Sequence, residues 1–364
     1  MRGYLRGFFC LNLGDDLFIH ILAQRYPDIN FCLISNSEYA SAYLCEKNIS
    51  VIKLNKLDRV IQKFKSSFLK IEDVYEKTEK LSDVSILIGG SMFQEFPGDI
   101  GALERLKSFP GKYNDTYILG VNFGPFQTQE YLKASFEYFK MAKDICFRDL
   151  NSYLLFKEMN NVRWARDIVF SIKSIIPQVN EKKKICAISV INFNSRKYLA
   201  DYKEDYIDFM LKIVKHYCAM RFSIHLISFC KMEGDEEAIT EILEKCDDEL
   251  KEFIKEVKYD GKNWRKIVED ISSAECVIAT RFHSMILGIV YQVPTLPIVY
   301  NEKCYNVLKD IGYDNAGVKV EELRKMKIED LEFIQIENID AIEKDASKQF
   351  WALDKLFGRE LHAE

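Results

Sequence analysis

The feature that most constrains this chain is an alternation, run through twice, of short apolar β-prone segments with helical stretches. In the first pass, residues 7–11, 31–35, 51–54, 84–88 and 117–122 read as strands, with helical patterns over 16–25, 38–47 and 131–143 between them. The pattern lapses at 175–184 (IIPQVNEKKK), where a proline and a charged run suit a linker. It then restarts, with strands at 185–191, 222–228 and 257–259 and helices at 206–217, 236–245 and 264–271. Such alternation specifies α/β architecture, a mostly parallel sheet covered by helices. We therefore expect two Rossmann-like domains facing across a cleft, over 1–178 and 179–338, with a helix in 339–364 packing back across the junction.

A length of 364 residues suits two cores rather than one. A net charge of -5 argues against a general nucleic-acid binder, because neutralising phosphates requires a basic face. The 10 cysteines are scattered without a CxxC pair, several inside apolar runs, so they read as small buried hydrophobes in a reducing compartment. No metal-ligand cluster is visible. The first residues lack the long apolar run of a signal peptide, and no window approaches ~18 uninterrupted apolar residues. The expectation is a cytoplasmic protein.

The segment 276–303 reads strand, turn, helix, strand, with Arg281 and His283 at the first strand's carboxyl edge, where open α/β sheets bind ligands. A guanidinium grips phosphate or carboxylate bidentately, a helix N-terminus adds N–H groups and a positive dipole end, and an imidazole moves protons near neutral pH. Together they suit an anionic ligand. The alternative is an arginine paired with an acidic neighbour such as Glu275 and a histidine satisfied by backbone.

Other turns follow strands in the same way. Gly89, Gly90 and Ser91 bring backbone close to a ligand or simply turn the chain, and Glu95 beyond them is either a base or a solvated carboxylate. Asn12 and Asp15 lie in NLGDD (12–16), where an aspartate capping the next helix explains most of the motif. GVNFGP (120–125) and RDLNS (148–152) also read as turns.

Taken in order, NLGDD (12–16), IGGSMFQE (88–95), GVNFGPF (120–126), FRDLNS (147–152), ARDIVFSI (165–172) and ATRFHSMILGIVYQVPTLPIVYNEK (279–303) resemble the polysaccharide pyruvyl transferase family. The last motif is the specific one: Arg281-Phe282-His283, then Pro294, then Tyr300 to Lys303. Where the family often has glycine, this chain has Ser91, Ser284 and Val293, and Glu95 stands where the family has aspartate. The resemblance implies a GT-B-like fold, phosphoenolpyruvate as co-substrate with no separate cofactor, and a sugar diol as acceptor. It implies that Arg281 holds the donor, with Phe282, Ser284, Arg196 and Lys303 on the donor side, and that His283 transfers protons. Glu95 would be the second acid or base, and Asn12, Asp15, Gly89, Gly90 and Ser91 would form the acceptor or loop side.

The implied reaction protonates C3 of the enol, adds a sugar hydroxyl at C2, releases phosphate and closes a cyclic ketal with a second hydroxyl. Two other readings stay open: a nucleotide-sugar-dependent glycosyltransferase, and a non-catalytic glycan-binding relative. Residues 53–70 carry six basic residues against one acid, Asp58, beside Val60, Ile61, Phe64 and Phe68. Such a segment suits a lipid-linked oligosaccharide acceptor at the inner face of the membrane, or is an ordinary solvated helix.

Overall fold

The computed structural model describes residues 1–64, 72–109, 111–179, 181–314, 316–336 and 338–359. It divides into two units: Met1–Cys10, Asp15–Ser171 and Lys344–Glu364 form the first, and Leu11–Gly14 with Ile172–Glu343 the second. The division falls at Ser171/Ile172 rather than at 178/179. Two short pieces are exchanged relative to a simple cut, since Leu11–Gly14 joins the second unit and the C-terminal segment joins the first.

Among the described residues, the first unit holds β1 (Arg2–Arg6), β2 (Asn30–Asn36), β3 (Ile49–Leu54), β4 (Val84–Ile88), β5 (Thr116–Val121), β6 (Asp144–Phe147) and β7 (Val162–Trp164). They form one sheet in the order β3-β2-β1-β4-β5-β6-β7, parallel throughout. The strand order reverses between β1 and β4. Residues of β4 and β5 are buried along their whole length, which is why they read as continuous apolar runs rather than alternating ones.

The second unit repeats the plan with β8 (Lys183–Ser189), β9 (Ser223–Ser228), β10 (Ile254–Lys258), β11 (Ala274–Ala279), β12 (Thr295–Val299) and β13 (Val318–Lys319). The order is β10-β9-β8-β11-β12-β13, again parallel, with its reversal between β8 and β11. The amphipathic helix Lys203–Ala219 buries Phe209, Met210, Ile213 and Val214 in this unit's core.

Three local expectations change. The first strand is Arg2–Arg6, not 7–11: two arginines and a glycine disguise it, while Gly3, Tyr4 and Leu5 are its buried residues. Residues 7–11 instead form the loop at its carboxyl edge, ending at Leu11 with φ 56°. Residues 38–47 give only a one-turn helix, Ala40–Ala42. The C-terminal segment is two short helices, Asp340–Ser347 and Trp351–Phe357, joined by a 3-10 turn. Gln349 ties it to the first sheet, accepting from Gly120 N (2.9 Å) and donating to the Phe147 and Ala165 carbonyls. Asp354 accepts from Arg25 and from the Tyr26 hydroxyl.

Nine of the cysteines are buried and Cys45 is exposed. In the basic stretch, the helix Lys56–Phe64 leaves Leu57, Val60 and Ile61 exposed, and Lys65, Phe68 and Lys70 lie outside the described residues. Among the described residues no helix is long and apolar enough to cross a membrane.

Candidate functional site

In the second unit the site is built from three strand ends. After β8, Ser189 Oγ accepts from the backbone N–H groups of Thr280 and Arg281, both at 3.1 Å, tying the β11 turn to its neighbour at the point where strand order reverses. After β9, a tight turn carries Glu233 and Asp235 on either side of Gly234. That glycine has φ 83° and stands where a Cβ would lie 2.7 Å from the Asn192 amide, so no other residue fits without strain. Asp235 is fully buried and its Oδ2 accepts from Phe229 N, Cys230 N and Arg281 Nε, each at 2.9 Å.

Arg281 is consequently not an open anion receptor. Its Nη2 bonds the second oxygen of Asp235 and its Nη1 donates to Glu233 Oε2 at 2.7 Å. Burial alone would favour a neutral guanidine, but the two carboxylates more than reverse that and hold it cationic. The expected acidic neighbour, Glu275, is exposed and not the partner. Arg196 reaches the same Glu233 oxygen and lies over the Tyr300 ring, 5.7 Å from its centroid. Asn12 Nδ2 donates to the other oxygen, Glu233 Oε1, at 3.3 Å. One carboxylate therefore sits between two guanidinium groups. Burial pushes the Glu233 carboxyl up, but Arg281 and Arg196 outweigh it and hold the group below its usual value.

His283 lies in the first turn of the helix Phe282–Val290, its ring 4.9 Å from that of Phe282, over which Lys303 Nζ sits at 4.3 Å. Gly14 makes room for it: a Cβ there would lie 1.7 Å from His283 Nδ1. Thus the NLG and Arg-x-His motifs, separated in sequence by the first unit's Asp15–Ser171 and by residues 172–280 of the second unit, meet. Asn12 rather than an aspartate caps the helix Leu13–Arg25, its Oδ1 accepting from Gly14 N at 3.1 Å. Ser284 is fully buried in the same first turn, and its hydroxyl has no partner among the described residues.

The first unit gathers the remaining motifs at the carboxyl edge of its own sheet. Arg148, 2% exposed, follows β6 and donates to Asp167 Oδ2 (2.9 Å) and Asn122 Oδ1 (2.6 Å). It lies against Gly90, where a Cβ would come within 2.8 Å of its nitrogens. Asp15 Oδ1 accepts from Gly90 N at 3.3 Å, and Ser91 Oγ donates to Asn122 Oδ1 at 3.1 Å. Gly89 completes that turn after β4. Glu95 is a staple rather than a base: its Oε2 accepts from Gln127 N and Thr128 N at 2.7 Å and its Oε1 from the Thr128 hydroxyl at 2.8 Å. Desolvation alone would raise its carboxyl, yet those bonds hold it below the ordinary range, which opposes proton uptake. Glu233, Asp235, Asn122 and Asp167 were not singled out from sequence, because partners 19 to 48 positions away leave no local signature.

A family profile described as polysaccharide pyruvyl transferase matches residues 12–302. No curated protein matches the chain. Among solved structures, UDP-GlcNAc 2-epimerase of Methanocaldococcus jannaschii is similar with a TM-score of 0.54 at 12% identity, covering 96% of this chain and 100% of its own. The UDP-GlcNAc 2-epimerase of Neisseria meningitidis also gives 0.54 at 12%, with 98% and 100% covered. The ADP-heptose lps heptosyltransferase II of E. coli gives 0.44 at 10%, with 97% and 100% covered. The likeness is one of fold, the GT-B-like α/β plan of two Rossmann-type units that the family resemblance implied.

Proposed function

The chain belongs to the polysaccharide pyruvyl transferase family, and from that premise we propose that it moves the pyruvyl group of phosphoenolpyruvate onto two hydroxyls of a sugar, in a surface polysaccharide or its lipid-linked precursor. C3 of the enol takes a proton, one hydroxyl oxygen bonds C2, and the second hydroxyl displaces phosphate to close the ketal. Both hydroxyl protons leave to base or solvent. The observation that carries the reading is the Glu233 carboxylate held between Arg196 and Arg281. It stands in for the donor's anionic group, which displaces it on binding. Asp235 stays on Arg281 and keeps the fork aimed.

In this scheme the N–H groups of the first turn of Phe282–Val290 and the Ser284 hydroxyl complete the anion cradle, with Lys303 adding charge over Phe282. His283, placed by Gly14, carries the proton to C3. Glu95 takes no chemical part. Gly89, Gly90, Ser91, Asp15 and Asn122 form the acceptor loops, held by Arg148. Because phosphoenolpyruvate is a cytoplasmic metabolite, the reaction belongs there. A lipid-linked acceptor would bring Lys56, Arg59 and the exposed Leu57, Val60 and Ile61 to the inner membrane face.

Thermal-shift titration tests this directly. Phosphoenolpyruvate should raise Tm, by mass action on the folded state, and phosphate should appear when a sugar acceptor is added. Stabilisation by UDP- or GDP-sugars with none by phosphoenolpyruvate would replace the proposal with a glycosyltransferase.

A further inference from the structure

Away from both clusters, the first unit holds a second constellation that the proposed reaction does not use. His20, on the helix Leu13–Arg25, and Cys45 and Glu46, just beyond the turn Ala40–Ala42, place a ring nitrogen, a sulfur and a carboxylate oxygen within 4.8 Å of one another. His20 Nδ1 lies 2.8 Å from Glu46 Oε1 and 4.0 Å from Cys45 Sγ, and Sγ lies 4.0 Å from the same Glu46 oxygen.

The geometry separates two uses of such a trio. A thiol activated by a histidine and oriented by a carboxylate needs the two partners on opposite ring nitrogens. Here both face Nδ1. Three donor atoms converging on one point are instead the arrangement that surrounds a cation. Tetrahedral zinc, with bonds of about 2.0 to 2.3 Å, would set its ligands roughly 3.4 to 3.6 Å apart, so each pair needs to move by about half an ångström. Sulfur, imidazole and one carboxylate select zinc-class ions over calcium or magnesium, which take oxygen ligands.

We infer that His20, Cys45 and Glu46 form a binding site for one zinc-class divalent cation, with a fourth position open to solvent on the Cys45 side. Gln24 Nε2, donating to Glu46 Oε1 at 3.2 Å, orients the carboxylate from outside the ligand set. The cation would clip the segment after Ala40–Ala42 to the helix Leu13–Arg25. That segment also carries Tyr43, whose hydroxyl donates to the buried Asp16, so the clip braces the helix that presents Asp15 to Gly90. The sequence alone suggested no metal site, because the ligands lie on two elements 25 residues apart.

The test uses the full chain, reduced and stripped with chelator, titrated with Zn²⁺ by calorimetry and with Co²⁺ by absorption. One equivalent should bind, and Co²⁺ should show a thiolate charge-transfer band with the strong visible bands of tetrahedral coordination. Cys45→Ser, at an exposed position, should keep the metal-free Tm, lose the charge-transfer band and weaken Zn²⁺ at least tenfold. Gln24→Ala should weaken it by about 10- to 100-fold. Absence of stoichiometric binding, a Co²⁺ spectrum without the thiolate band, or unchanged affinity in Cys45→Ser would each overturn the site.

Discussion

Arg148 in the first unit and Arg281 in the second each follow the carboxyl end of a parallel strand, β6 and β11, and both are buried against carboxylates, but they are held differently. Arg148 is fixed by Asp167 and Asn122 and pressed on Gly90, all of them first-unit residues with little exposure around the guanidinium. Arg281 is fixed on one side by the fully buried Asp235, whereas its other side meets Glu233, whose side chain is 32% exposed and shared with Arg196. The first is a structural bolt. The second has one fully buried counter-ion and a second, partly exposed, which in the proposed reaction the incoming donor replaces.

The largest effect expected is on stability. Arg148→Met breaks the buried Arg148–Asp167 ion pair, and denaturant unfolding should show a loss of about 3 to 5 kcal/mol. Arg281→Met should cost a comparable amount, because the fully buried Asp235 loses its guanidinium even though Glu233 can turn to solvent.

Next comes Gly14→Ala, which puts a methyl group where the His283 ring now lies. Misplacing a catalytic group by an ångström costs about 100-fold. Phosphate release should fall by that order, stability should drop by the ~1 to 3 kcal/mol that overpacking a buried site costs, and phosphoenolpyruvate affinity should stay near that of the parent. Unchanged turnover would remove His283 from the chemistry.

The pH dependence separates the two arginines more gently. A carboxylate with a lowered folded value stabilises the protein above its unfolded value, and that stability is lost as pH falls through the folded one. Glu233 is such a group. Between about pH 5 and pH 3, Tm should fall more in the parent than in Glu233→Gln.

The smallest effect belongs to Ser284→Ala. Deleting a buried hydroxyl that has no partner among the described residues should change stability by less than about 1 kcal/mol, or raise it. If the hydroxyl meets the donor, phosphoenolpyruvate affinity should nevertheless drop several-fold.

The sequence made the architecture readable because buried parallel strands leave apolar runs, and Val84–Ile88 and residues 276–279 of the strand Ala274–Ala279 could be found by composition alone. β1 escaped because its polar ends sit at the sheet's rim. The positions of Arg281 and His283 at a strand's carboxyl edge were equally legible, since a turn followed by an apolar helix has a local signature. What held Arg281 was not, for Glu233 and Asp235 arrive from the neighbouring strand end, and the nearby Glu275 points elsewhere. Glu95 illustrates the converse: a carboxylate after a glycine turn looks catalytic until its hydrogen bonds to Gln127 and Thr128 are seen.

In the proposed reaction Glu233 occupies the donor's anion position until the donor binds. Calorimetric titration of phosphoenolpyruvate into the parent and into Glu233→Gln tests it most directly. Removing the competing carboxylate should tighten binding by about tenfold, the equivalent of 1.4 kcal/mol. Weaker binding in Glu233→Gln, or no difference between the two proteins, would contradict the account.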